Sequence, residues 1–121
     1  MPRIRIQRLE KVLLRLISNV INLKLRDKYL ELVSITRIKV SNDMSHARIY
    51  YTHLDTYPNE DVQKALEKSS GFIKNEIAAA KIMRVIPEIK FIYDEFEEKA
   101  RHLDDIFRQL ESEKEQQNKD S

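Results

Sequence analysis

Residues 59–84 read NEDVQKALEKSSGFIKNEIAAAKIMR, and the one glycine of the 121-residue chain, Gly71, falls in their middle. On both sides of it apolar residues recur at helical spacing, through Val62, Ala65, Leu66, Phe72, Ile73, Ile77, Ala80 and Met83. A glycine inside a helix costs roughly 1 kcal/mol relative to alanine. The segment therefore reads as a long helix to about Arg84, interrupted by a kink at Ser69, Ser70 and Gly71. At such a kink glycine accepts a bend or a positive φ and lets a phosphate or another backbone come close, so that alanine at 71 destabilises. A glycine that only eases helix packing is the alternative. Asn59 stands where a helix cap belongs, and Glu60 and Asp61 complement the positive end of the helix.

Strand-like segments flank this helix. Residues 32–40 and 47–52 are rich in Val, Ile, Thr and Tyr and are separated by Ser41-Asn42-Asp43-Met44-Ser45, which is turn chemistry, so together they form a β-hairpin. In the second strand Ala47, Ile49 and Tyr51 alternate with Arg48, Tyr50 and Thr52, giving one core face and one open face. In the first, Val33 and Ile35 are out of phase with Ile38 and Val40, which calls for a bulge near Thr36 or a partly covered second face. Pro87 stops the long helix, and Ile89 to Tyr93 reads as a third strand joined to the second by a parallel crossover.

An amphipathic helix precedes the hairpin over residues 3–22, with Ile6, Leu9, Leu13, Leu16, Ile17 and Val20 on its core side. Another closes the domain over 97–113 through Ala100, Leu103, Ile106, Phe107 and Leu110. The fold class is α+β: helix, strand, strand, kinked helix pair and strand, with a C-terminal helix over a three-stranded sheet. Residues 1–113 make one domain and 114–121 a polar, disordered tail.

Composition narrows the function. With no cysteine there is no disulfide, thiolate chemistry or cysteine-ligated zinc, and His46, His53 and His102 have no ligand spacing. No stretch has the roughly 18 uncharged apolar residues of a membrane span, which points to a cytoplasmic protein without a membrane partner. Phosphate-binding loops, nucleophile elbows and paired histidines are missing as well, so neither an enzyme nor a cofactor or small-molecule substrate is expected.

The net charge of +2 hides a gradient: residues 1–26 hold seven bases against Glu10 alone, whereas 94–121 hold ten acids and five bases. In the first helix Arg5, Arg8, Lys11 and Arg15 share an arc of roughly 120° away from the core side, and Arg3 extends the run. Further bases are Lys68, Lys74, Lys81 and Arg84 on the kinked helix and Arg37, Lys39 and Arg48 on the strands, with Ser70 and Gly71 at the kink. Arginine and lysine neutralise phosphates, and a helix start offers backbone N–H groups to one, so these residues are RNA-binding candidates. A protein-interaction module acting through the amphipathic helices is the rival reading.

Three blocks in order, Ile38 to Tyr51, Ala65 to Lys74, and Arg84-x-x-Pro87-Glu88-Ile89-x-Phe91-x-x-Asp94, resemble the signature segments of bacterial ribosome-binding factor A, and the likeness extends from about Arg3 to Leu110. The resemblance implies a type II KH-like fold whose glycine loop is replaced by an interrupted helix of pattern Ala-x-Gly, here Ser69-Ser70-Gly71. It also implies a factor, monomeric when free, that binds the immature small (30S) ribosomal subunit and assists maturation of its precursor 16S rRNA. This chain departs from the family at Arg26-Asp27-Lys28-Tyr29, where Asp-Pro-Arg is common.

Residues 114–121 contain no apolar side chain to bury, so ordering them would lose entropy with little return. Ending the chain at Glu113 is expected to leave the melting temperature and subunit association unchanged; a thermal melt and co-sedimentation check both.

Overall fold

A computed structural model describes residues 3–54, 56–96, 103 and 106–111, the side chain of Arg3 excepted. Its elements are α1 (Arg3–Asn19), β1 (Val33–Val40), β2 (His46–His53), α2 (Asn59–Lys68), α3 (Ser70–Ala79) and β3 (Glu88–Tyr93). The sheet order is β1-β2-β3, with β1 antiparallel and β3 parallel to β2. A crossover is the connection that parallel neighbours require, and α2 and α3 supply it. The helices pack on one sheet face: α1 lies against β1 and meets α3, and α2 lies against β3. Between the layers sit Leu13 and Ile17 from α1, Ile49 and Tyr51 from β2, Leu66 from α2 and Ile73 and Ile77 from α3, all buried.

The phase slip in β1 is a bulge. Ile35 pairs with Tyr51 and Arg37 with Tyr50, so Thr36 is the extra residue. Val33 and Ile35 face the helices before it, and Ile38 and Val40 after it. Thr36 Oγ1 donates to Asp94 Oδ2 at 2.6 Å, and the buried Asp94 also receives Arg37 Nε at 3.8 Å. The Asp94 amide donates to the Tyr51 carbonyl at 2.8 Å, which ties the end of β3 to the central strand.

Several local details differ from the sequence reading. The first helix leaves α geometry at Asn19 and continues as a π-helical turn, Val20–Lys24, closed by the Leu25 amide on the Val20 carbonyl at 3.0 Å. Lys24 then pairs with Glu76 of α3 at 2.8 Å. Asn59 does not cap α2; its Oδ1 accepts from the Tyr51 hydroxyl at 2.9 Å and lies 3.1 Å from His53 Nε2. Tyr51 also bonds Gln63, whose amide donates to the Phe91 carbonyl at 2.9 Å. These contacts satisfy the polar atoms of a buried tyrosine, and burial pushes its hydroxyl up to about 12. Where the family proline is missing, Asp27 makes the turn itself, accepting from the Tyr29 amide at 2.9 Å through its side chain and from the Leu30 amide at 3.0 Å through its carbonyl.

The kink falls within Ser69–Gly71 as expected, and the main correction is the role of Gly71 in it. The helix pair breaks at Ser69, whose hydroxyl donates to the Ala65 carbonyl at 2.9 Å and whose φ and ψ are −83° and −6°. A serine hydroxyl that bonds back to the preceding turn bends a helix, and here it shares the Ala65 carbonyl with the Ser69 amide. Gly71 lies in the first turn of α3, has no positive φ, and a Cβ there would meet nothing within 4 Å. The second half is also shorter than expected: α3 ends at Ala79, and Lys81 takes the left-handed conformation at φ 56° that terminates it. Residues 95–96, 103 and 106–111 of the closing segment are helical, with Leu103, Ile106, Phe107 and Leu110 exposed. The remainder of the expected final helix and the tail 114–121 lie outside the described residues.

Because Gly71 is ordinary helix with open space around it, Gly71→Ala is expected to stabilise the protein by up to about 1 kcal/mol, the reverse of what a glycine kink requires. Chemical denaturation of the two proteins measures the difference.

Candidate nucleic-acid interface

Helical geometry fixes the direction of the first basic group. Ile6, Leu13 and Ile17 are buried, and the centre of the arc holding Arg5, Arg8, Lys11 and Arg15 lies roughly 160° around the helix from theirs. All four bases are exposed, so the stripe points directly away from the sheet. Lys11 and Arg15 border a groove of about 320 Å³ floored by Val12 and Leu16. Glu10, the single acid among residues 1–26, is turned off the stripe, where its carboxylate accepts from the Val40 amide at 2.8 Å.

The second group lies on the sheet face opposite the one that α1, α2 and α3 cover. Past the Thr36 bulge, Arg37 and Lys39 are exposed there. Lys39 pairs in register with Arg48, and Arg48 with Lys90, so three bases form one row across all three strands. Arg37 sits 4.0 Å from the centroid of the Tyr50 ring, a cation–π contact that, with Asp94, holds it in place. Beside the row is a depression of about 290 Å³ bordered by His46, Glu88 and Ile89. Its acid, Glu88, is paired with Lys74 at 3.0 Å. Among the described residues no carboxylate stands at ion-pair distance from Lys39, Arg48 or Lys90.

The remaining sequence candidates do not converge. Lys68 is exposed at the end of α2, where its charge complements the helix dipole. Ser70 is half-buried and opens α3 beside the exposed Gly71. Lys74 is engaged by Glu88, and Arg84 is exposed in the bend after α3. Lys81 is exposed in a backbone conformation that is unfavourable for any residue with a side chain. Sequence reasoning missed Lys90, because its place in the row follows from the parallel register alone.

The hairpin turn that joins Lys39 to Arg48 is tightly bonded. Asp43 Oδ1 accepts from the Ser45 hydroxyl at 2.7 Å, the Ser45 amide at 3.1 Å and the Ser41 hydroxyl at 2.8 Å. These donors, Ser45 foremost, hold its carboxyl down at about 2. Met44, in the same turn, has φ 60°.

A small α+β domain with a helix-covered sheet face and exposed bases on its outside offers surfaces to which phosphates can bind. The ribosome-binding factor A family matches residues 5–107, and the chain belongs to that family. The ribosome-binding factor A of Francisella philomiragia is 39% identical over 90 residues, which are 74% of this chain and 63% of that protein. The match thus spans less than two thirds of that relative's length. The crystal structure of ribosome-binding factor A from Thermus thermophilus shares the fold, with a TM-score of 0.67 at 24% identity, covering 73% of this chain and 94% of that one. A homology model of the Thermus thermophilus factor, fitted into the cryo-EM map of a 30S–RbfA complex, gives a TM-score of 0.60 at 25% identity, over 70% of this chain and 90% of that one.

Like charges directly opposite on neighbouring strands repel, so the row is held against its own electrostatics. Arg48→Gln, which removes the middle charge, is expected to raise stability by about 0.2–1 kcal/mol at low salt, with the gain shrinking as salt screens the row. Melts at two ionic strengths read the effect.

Proposed function

We propose that this protein is a non-enzymatic assembly factor that binds free and immature small (30S) ribosomal subunits in the cytoplasm and assists late maturation of 16S rRNA by contacting that RNA. The observation that carries the reading is the α1 stripe: Arg5, Arg8, Lys11 and Arg15 are exposed opposite the core face of the helix, and no acid interrupts them. Four such charges displace counterions from a phosphate backbone, a source of affinity that does not depend on sequence. Family membership and the placement of the Thermus thermophilus factor in a 30S complex support the same partner. Among the described residues no helix is long and apolar enough to cross a membrane.

The sequence candidates divide by strength within this reading. Arg5, Arg8, Lys11 and Arg15 form the primary contact, with Arg3 at the start of the same helix. Lys68, Ser70, Gly71, Lys81 and Arg84 lie along the helix pair and its exit as weaker contacts, and Lys74 serves chiefly to neutralise Glu88. A second reading, a module that binds a protein partner, rests on the exposed Leu103, Ile106, Phe107 and Leu110.

Replacing Arg5, Arg8, Lys11 and Arg15 together by glutamine is expected to remove the protein from free small-subunit fractions in a sedimentation profile. The fold should survive, since each position is exposed and such changes shift stability by no more than about 0.5 kcal/mol. A folded variant that still travels with the subunits would reduce the stripe to a solvated exterior and favour the protein-partner reading.

A further inference from the structure

The two basic groups point in opposite directions. The α1 stripe faces outward from the helix layer, because the opposite side of α1 is buried against the sheet. The Lys39–Arg48–Lys90 row lies on the opposite face of that sheet, where all three bases are exposed among the described residues. One helix layer and one sheet separate them, a span on the order of 20 Å. A short RNA segment lying along either surface leaves the other free.

We infer that the domain holds two RNA segments at once, one on the α1 stripe and one across the Lys39–Arg48–Lys90 row, and so ties together separate stretches of RNA. The inference rests on the RNA-binding reading above and adds to it a second, opposed surface. Three features argue for a polyanion on the row. The bases are aligned by strand register against their mutual repulsion, so a chain of negative charge would relieve a strain built into the sheet. Among the described residues no carboxylate stands at ion-pair distance from the row: Glu88, which lines the same depression, pairs with Lys74, and Asp94 with Arg37. The exposed Arg37, held over the half-buried Tyr50 ring, adds a flat guanidinium next to the charges, a combination that suits unpaired RNA.

The row crosses the strands, and neighbouring strands lie about 4.8 Å apart, so the three charges run over roughly 10 Å. Phosphates along a single strand can meet such a row one after another. The α1 stripe runs along its helix instead, with Arg5 and Arg15 ten residues and about 15 Å apart. The two surfaces therefore differ in length as well as in direction.

The test uses the full chain and a ten-nucleotide oligouridine, too short to wrap the domain. Native mass spectrometry at low salt counts the oligonucleotides bound per protein. A pull-down with one biotinylated and one fluorescent oligonucleotide asks whether the protein joins them. Wild type is expected to bind two and to join them, whereas Lys39→Gln/Arg48→Gln/Lys90→Gln binds one and joins none. The variant lacking the α1 stripe should also bind one, and its remaining RNA affinity should have a log–log salt slope of about 2, as three phosphate contacts on a single strand predict.

The failures are separable. If wild type binds one oligonucleotide and only the stripe variant loses it, the RNA-binding reading stands and the two-segment inference is overturned. Binding of no RNA by wild type ends both. A sheet variant that still joins two oligonucleotides overturns the inference, as does one that keeps its RNA stoichiometry yet leaves the subunits, since the row would then meet a protein. Should the triple variant fail to fold, Lys90→Gln alone, on an outer strand, is expected to lower the salt slope of the stripe variant by about 0.7; an unchanged slope overturns the inference.

Discussion

The hydrogen bond from Thr36 to Asp94 secures the point on which the rest of the sheet depends. Side chains alternate along a strand, so without an extra residue the phase set by Val33 and Ile35 would carry Arg37 and Lys39 into the core and put Ile38 and Val40 in water. One bulged residue reverses this for the whole second half of β1. Asp94 fixes the bulge from the far end of β3, receives Arg37 and ties its own backbone to Tyr51. A buried carboxylate is tolerable there because hydrogen bonds and a cation surround it. Packing on one side of the sheet and charge on the other thus depend on the same short contact.

The molecule is layered by charge. Its apolar centre lies between the helices and one sheet face, while bases are collected on the outer side of α1 and on the opposite sheet face. Acids near these surfaces are occupied within the fold: Glu10 by a strand amide, Glu76 by Lys24, Glu88 by Lys74. Were RNA to meet these surfaces as proposed, affinity would come mainly from phosphate neutralisation and selectivity from the shape and spacing of the RNA.

Much of this was legible in the sequence because it depends on period. Alternation in residues 47–52 and the apolar repeat on both sides of Gly71 report the hairpin and the crossover directly, whereas the phase slip around Thr36 left a bulge and a partly covered second face open until the register was known. Local competition between hydrogen bonds was not legible. Glycine drew attention to position 71, yet the break lies at Ser69, whose hydroxyl bonds the Ala65 carbonyl. Asn59 has the composition of a cap, but a buried Tyr51 and His53 claim its side chain. Lysine is a good helix former, so nothing at Lys81 announced a left-handed stop. The stripe on α1 could be read from one helix, whereas the row through Lys90 needed the register of three strands.

Glu10 carries a further consequence. β1 is an outer strand of the sheet, and outer strands offer unpaired amides on which a second chain can add itself. The Glu10 carboxylate takes the Val40 amide, so the ladder closes at that position inside the same molecule. An acid retained in an otherwise basic segment is thereby explained as a guard against strand addition, with Lys39 beside it as a charged deterrent. One blocked amide at the end of β1 is enough to break the run of free donors that a second copy of the strand would need to pair along that end.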